Sequence, residues 1–247
     1  FFFAVTSPCF TMRVLLSLAG AAAGFHSVDE TARATRVIMH EPHLDAMFGG
    51  LHPNGMLFEK PTAHSLVKSA SRELRRVFEE YGVQVQSVTD VLVKVCQSKQ
   101  EDWQSRFYSL AEEALTYDSP EMTGPAANLV SAEYKKSVLR AMDCDQVVQT
   151  VLLQPTVHLK AAAQNTELEA THVSIRPMGN LVFARDQQIT TGAGVVLGRM
   201  NSPQRAPEVD LMRLVWEYIG ATVVTRVPEG NSWRAGTISR SGTWRCW

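Results

Sequence analysis

Pro177-Met178-Gly179-Asn180-Leu181-Val182-Phe183-Ala184-Arg185-Asp186-Gln187-Gln188-Ile189-Thr190-Thr191 sets an apolar run between a glycine and an acid and then turns extended again. The spacing predicts short strands over residues 181–185, 188–191 and 195–200. A helix over 203–218, with Pro203 suited to its first turn, and a strand over 222–226 complete the pattern. Strand, strand, helix, strand is thus the order of the late part of the chain. A carboxylate at Asp186, just past a short apolar strand, stands where a sheet meets its loops. There it can accept two N–H bonds from a planar guanidinium. It can equally cap a turn or pair with Arg185, and taken alone it does not choose among these.

The next segment, Gly198-Arg199-Met200-Asn201-Ser202-Pro203-Gln204-Arg205-Ala206-Pro207-Glu208, puts Arg205 in the first turn of that helix. An arginine there can clamp a carboxylate with two parallel hydrogen bonds. The alternative is a surface Arg205 paired with Glu208 one turn on.

Upstream, residues 34–39 (ATRVIM) read as a buried strand ending at His40-Glu41-Pro42. Residues 48–61 hold Gly, Pro and Asn and read as a loop. The clearest helix follows: Leu66, Val67, Ala70, Leu74, Val77, Phe78 and Tyr81 recur on one face, opposite Lys68, Arg72, Arg75, Arg76 and Glu79. Thr62 or Ser65 can cap its start and Gly82 can end it. Residues 83–88 alternate as a strand. Residues 89–151 read as helical, with Trp103, Phe107, Leu110 and Leu115 on one face and Val130, Tyr134, Val138 and Leu139 on another. This predicts a helical insertion between two α/β parts. Strand, helix, strand early and strand, strand, helix, strand late echo one another as repeated ββαβ-like units.

Composition narrows the function classes. The 247 residues are 45% hydrophobic and 20% charged, with a formal net charge of −1. That balance is globular and offers no global field for nucleic acid or anionic lipid. The apolar run after Met12 resembles a short signal peptide but is too short to span a bilayer. Cys9, Cys96, Cys144 and Cys246 are scattered without a C-x-x-C pair, so they predict neither a zinc knuckle nor a disulfide framework. Cys96 and Cys144 fall in helical stretches and read as small core residues in a reducing compartment. His40-Glu41-Pro42-His43 breaks the register of a metal-binding helix and reads as a strand end. Gly192 to Gly194 reads as a hairpin turn, since no helix begins there as a dinucleotide loop requires.

Together, Asn180, Phe183 and Asp186 followed by Met200, Pro203, Arg205 and Glu208 resemble the arginine deiminase and amidinotransferase superfamily. There an N-x-x-F-x-R-D segment precedes a strand and a helix opening M-x-x-P-x-R-x-x-E. Arg36 to Pro42 is similar to that family's first core strand, and Asn54 to Glu59 to its substrate-loop region. The resemblance covers roughly residues 34–228 and is sharpest over 177–208.

It implies an α/β fold, the pentein propeller of ββαβ units, here incomplete and carrying a helical insertion at about 89–165 within a domain over 31–228. Residues 1–30 are then a poorly packed or targeting-like start. The implied reaction is hydrolysis of L-arginine to L-citrulline and ammonia through a cysteine thiouronium intermediate, without metal or organic cofactor. An amidinotransferase and a non-catalytic arginine-binding fragment are the alternatives. Matched position by position, Asp186 is the guanidinium-binding aspartate and the catalytic residue carried by this chain. Arg205 binds the substrate carboxylate, and Asn180 and Phe183 line the site. The expected partner is a small guanidine, with no nucleic acid and no membrane, in the cytoplasm; an open propeller would favour association with further copies.

The family pattern departs after residue 228. Where the family has L-E-G-G-D, this chain reads Glu229-Gly230-Asn231-Ser232-Trp233-Arg234-Ala235-Gly236-Thr237. A shifted reading frame from the last base of Ser232 can restore that motif, so residues 229–247 are expected to be a frameshifted tail. On that reading the chain stops before the family's Cys, His and Glu and is inactive alone. Cys246 sits in the unmatched tail and is not taken as the nucleophile.

Overall fold

The computed structural model describes Phe25, Ser27 and residues 33–228 apart from 163 and 165. The run after Met12, the tail over 229–247, Cys9 and Cys246 lie outside the described residues. In chain order the elements are β1 (Arg36–Met39), α1 (Leu44–Gly49), α2 (His64–Glu80), β2 (Gln84–Ser87), α3 (Val88–Cys96), α4 (Glu101–Ala114), β3 (Thr116–Asp118), α5 (Pro125–Asn128), α6 (Ala132–Ala141), α7 (Cys144–Leu153), β4 (Pro155–Ala161), β5 (Leu168–Ile175), β6 (Gln188–Thr191), β7 (Gly194–Leu197), α8 (Ala206–Tyr218) and β8 (Val223–Arg226). The fold class is mixed α/β with three small sheets, ordered β1-β2, β3-β4-β5 and β6-β7-β8, and no closed barrel among the described residues. The chain divides into two compact units, one comprising Pro42–His64 and Leu92–Gly179, the other the remainder.

In the unit that holds residues 65–91 and 180–228, β1 and β2 pair in parallel, so α2 between them is a crossover connection. Gly82 ends α2 as the sequence predicts. It takes φ +75°, a left-handed conformation that costs glycine little, and Val83 N–H then donates back to Phe78 O at 3.0 Å. The apolar stripe of α2 is less buried than its spacing implies, with Leu66 and Tyr81 66% and 70% exposed. Periodicity names the apolar face of a helix but not what covers it.

The late part forms one ββαβ unit. β6 and β7 pair antiparallel from Thr191↔Gly194, leaving Gly192 and Ala193 as a two-residue hairpin turn. Thr191 Oγ1 fixes that turn by accepting from Ala193 N–H at 3.2 Å and donating to Gly194 O at 2.9 Å. β7 then pairs in parallel with β8, and α8 lies between them in the chain and packs on both. Its inward side is Val209, Leu211, Met212, Leu214, Val215 and Trp216, all buried. Gly194 has φ +127°, and a Cβ there would meet Thr222 O at 2.4 Å, so only glycine lets β7 reach β8 at this point.

The strand expected at 181–185 is not formed. Phe183 N–H donates to Asn180 O at 3.0 Å and Asp186 N–H to Phe183 O at 3.0 Å, so this stretch is two successive turns. An apolar run of four residues, 181–184, satisfies a buried turn as well as a strand, and Leu181 is indeed fully buried.

In the other unit α4 packs against α6 and α7, and α1 against α7. Phe107, Ala111, Leu139, Val147 and Val148 are fully buried. Asp143 begins α7 with a capping box: it accepts from Gln146 N–H at 2.8 Å, and Gln146 Oε1 accepts from Asp143 N–H at 3.1 Å. The helical reading of 89–151 is interrupted by β3, and the stretch to 165 by β4. α4 stops at Leu115, whose extended backbone (φ −87°, ψ 121°) leads directly into Thr116. Pro155 cannot continue α7, and Thr156 and Val157 favour the strand that follows.

Cys96 and Cys144 are bonded to each other, with Cα atoms 5.8 Å apart. This corrects their reading as separate core thiols. Their 48-residue separation conceals that the end of α3 meets the start of α7. Among the described residues no helix is long and apolar enough to cross a membrane.

Candidate active site

The two turns over 180–186 bring Asn180, Phe183 and Asp186 to the entrance of β6. Across from them, a 3-10 turn over Pro203–Arg205 leads into α8. Arg205 and Glu208 therefore sit one turn apart at the start of that helix, where its dipole favours the acid. Arg205 is only 8% exposed and Glu208 1%.

Arg205 is nearly saturated. Its Nε donates to Glu208 Oε1 and Oε2 at 3.2 and 3.1 Å, and its Nη2 to Glu208 Oε2 at 2.9 Å. Nη2 also donates to Asn180 O at 3.3 Å, while Nη1 donates to Asp186 Oδ2 at 2.7 Å. Of the five guanidinium hydrogens, one on Nη1 is left over. Burial works against the charge of Arg205, but Glu208 and then Asp186 outweigh it and hold its pKa above the ordinary guanidinium value. Burial likewise pushes the Glu208 carboxyl above the usual carboxylate range, and Arg205 and Gln187 pull against that. Buried against a guanidinium, Glu208 serves as the counter-ion of Arg205.

Asp186 differs from Glu208 in exposure. Its side chain is 34% accessible, and its contact with Arg205 uses Oδ2. Asn180 is 1% exposed, and both its amide nitrogen and its amide oxygen lack a partner among the described residues. A buried amide in that state is costly, roughly 1–3 kcal/mol per unmet group. Phe183 is half-buried beside them.

The structure thus gathers all four residues singled out in the sequence; of the alternatives, the Arg205–Glu208 pair is formed but buried rather than at the surface, and Asp186 pairs with Arg205 rather than Arg185. Glu208, expected as the alternative partner of Arg205, is a fully buried member of the group. One member was not anticipated. Gln187 had no signal beyond adjacency to Asp186; it is fully buried and donates from Nε2 to Glu208 Oε2 at 2.7 Å. The His40-Glu41-Pro42-His43 stretch gathers no metal ligands, since among the described residues no three His, Cys, Asp or Glu side chains are placed to hold an ion. Glu41 instead accepts from Arg75 Nη1 at 2.7 Å.

One cation flanked by two carboxylates leaves a net negative charge, and its accessible end is Asp186. The chain is thus mixed α/β and carries an acid anchored by a buried arginine. Residues 54–227 match the family model for arginine deiminase, and the chain belongs to that family. A stretch of 44 residues is 50% identical to the arginine deiminase of Halobacterium salinarum (strain ATCC 29341 / DSM 671 / R1), covering 18% of this chain and 9% of that protein.

Proposed function

We propose that this chain binds L-arginine and provides the guanidinium-holding part of a site that converts it to L-citrulline and ammonia. The observation that carries this reading is the charge arrangement: Glu208 neutralises Arg205 from below, so Asp186 keeps its negative charge for a ligand. With Oδ2 tied to Arg205, the carboxylate is oriented before the substrate arrives, which lowers the entropy cost of binding. Its Oδ1 and the guanidinium of the substrate form charge-assisted hydrogen bonds. The remaining Nη1 hydrogen of Arg205 and the unpartnered Asn180 amide take the substrate carboxylate, and Phe183 covers the aliphatic stem.

In the family reaction a thiolate attacks the guanidinium carbon, ammonia leaves, and water releases citrulline. Fixing the cation between carboxylates and splitting hydrolysis into two covalent steps both lower the barrier. Cys96 and Cys144 are bonded to each other and offer no thiolate, so recognition is the part assigned to the described residues. The ββαβ unit β6-β7-α8-β8 is read as one repeat of a pentein propeller within residues 31–228.

Calorimetric titration with L-arginine, run beside a citrulline assay, tests this. Saturable binding in the wild-type chain that disappears in Asp186→Ala supports it. No binding by a folded wild-type chain sinks it. Citrulline release would extend the assignment from recognition to the whole reaction.

A further inference from the structure

A second group of chemistry-bearing side chains lies on the sheet β3-β4-β5. Asp118 of β3 stands directly opposite His158 of β4 in the parallel ladder, and His158 stands opposite His172 of β5. Ser174, two residues beyond His172, shares their face because side chains alternate along a strand. Asp118 Oδ2 lies 2.6 Å from His158 Nδ1, and His158 Nε2 lies 2.8 Å from Ser174 Oγ. A carboxylate only accepts, so Nδ1 carries the proton toward Asp118. Nε2 is then the lone-pair side and accepts from the Ser174 hydroxyl.

That order of donors, hydroxyl to imidazole to carboxylate, is the connectivity by which a serine is activated as a nucleophile. The ring is held in place as well. It stacks on His172 with centroids 4.1 Å apart and 9° between planes. Thr171 Oγ1 donates to His158 O at 3.1 Å and fixes the backbone beside it. Ser174 is exposed, so a reagent can reach it. Lys160 on β4 is paired with Glu169 at 3.2 Å, so its charge is already partnered.

We propose that Ser174 is a reactive nucleophile, with His158 as its base and Asp118 orienting the base, and that its substrates are small uncharged esters with good leaving groups. In the step, Ser174 Oγ bonds to the carbonyl carbon or phosphorus and its proton passes to His158 Nε2. The bond to the leaving group breaks, and that group departs with its electron pair and takes up the proton. For an acyl group, water repeats the sequence, returning the Ser174 hydroxyl and releasing the acid. An open sheet face excludes little water, which weakens every electrostatic contribution to the barrier. The activity expected is therefore selective labelling rather than rapid turnover.

The test is treatment of the whole folded chain with diisopropyl fluorophosphate, with the site located by peptide mass mapping. The label should enter Ser174, and faster in the folded chain than in concentrated urea. It should vanish from that peptide in Ser174→Ala and slow by about tenfold or more in His158→Gln, the low end of a general base's contribution. Asp118→Asn should slow it as well, circular dichroism confirming that each variant is folded. Label confined to other residues, equal rates in folded and unfolded chain, or no effect of the His158 change would overturn the proposal.

Discussion

Asp186 and Glu208 are two carboxylates on one guanidinium, and their surroundings separate their roles. Glu208 is 1% exposed and bound by two guanidinium nitrogens and Gln187, so it acts as an internal counter-ion. Asp186 is half-exposed and acts outward. Replacing Asp186 by Asn keeps the shape and an acceptor for Arg205 but removes the charge. The loss expected is that of a charge-assisted hydrogen bond, roughly 2 kcal/mol, so arginine should bind more than tenfold more weakly while the melting temperature changes little. Calorimetry with a parallel thermal melt checks both. Glu208→Ala should weaken arginine binding too, because Asp186 is then left as the counter-ion of Arg205, but its main effect should be on stability. It strands a buried cation, and breaking such a pair costs about 3–5 kcal/mol, which a urea denaturation curve reads directly. Equal effects of the two changes on stability would contradict the division.

Among the elements, the β6-β7-β8 sheet depends most sharply on one position. Gly194 combines φ +127° with a Cβ site 2.4 Å from Thr222 O. Gly194→Ala should therefore cost about 1–3 kcal/mol from backbone strain alone. Hydrogen exchange at Val195, whose amide donates to Thr222 O at 2.8 Å, should rise with it. On the sheet β3-β4-β5, burial, with a smaller contribution from Tyr134, raises the pKa of Tyr117. A raised folded pKa means the protonated phenol is favoured by folding. Its stabilisation is complete below the unfolded tyrosine value of about 10 and is lost as pH climbs through the folded value. Tyr117→Phe should flatten that alkaline decline in denaturation midpoints measured on either side of pH 10.

For the molecule as a whole, the covalent bond between Cys96 and Cys144 spans 48 residues. A closed loop of that length restricts the unfolded chain by about 4 kcal/mol in the loop-entropy model. Reduction should lower the urea midpoint accordingly, and amide exchange within α4, α6 and α7 should speed. A midpoint indifferent to reductant would show that the bond contributes nothing measurable to stability. The net charge of −1 is close to balance, so the negative character of the Asp186 site is local rather than a property of the whole surface.

Much of this was legible in the residues. The period-3.6 pattern behind α2, the Pro203 start before α8, the Gly82 stop and the hairpin at Gly192 and Ala193 are local effects, set by side chains within a few positions of one another. The spacing of Asn180, Phe183, Asp186 and Arg205 likewise carried the family. The sequence left open what those residues touch. Leu181 sits in a turn because tertiary burial satisfies an apolar run in either conformation. β3, β4 and β5 depend on partners up to 40 positions away, as between Asp118 and His158. Cys96 meets Cys144, and Arg205 is claimed by Glu208 and Asp186, because packing brings distant backbone together. Hydrogen bonds and disulfides are short-range, so their partners are chosen by the folded chain and not by composition or period.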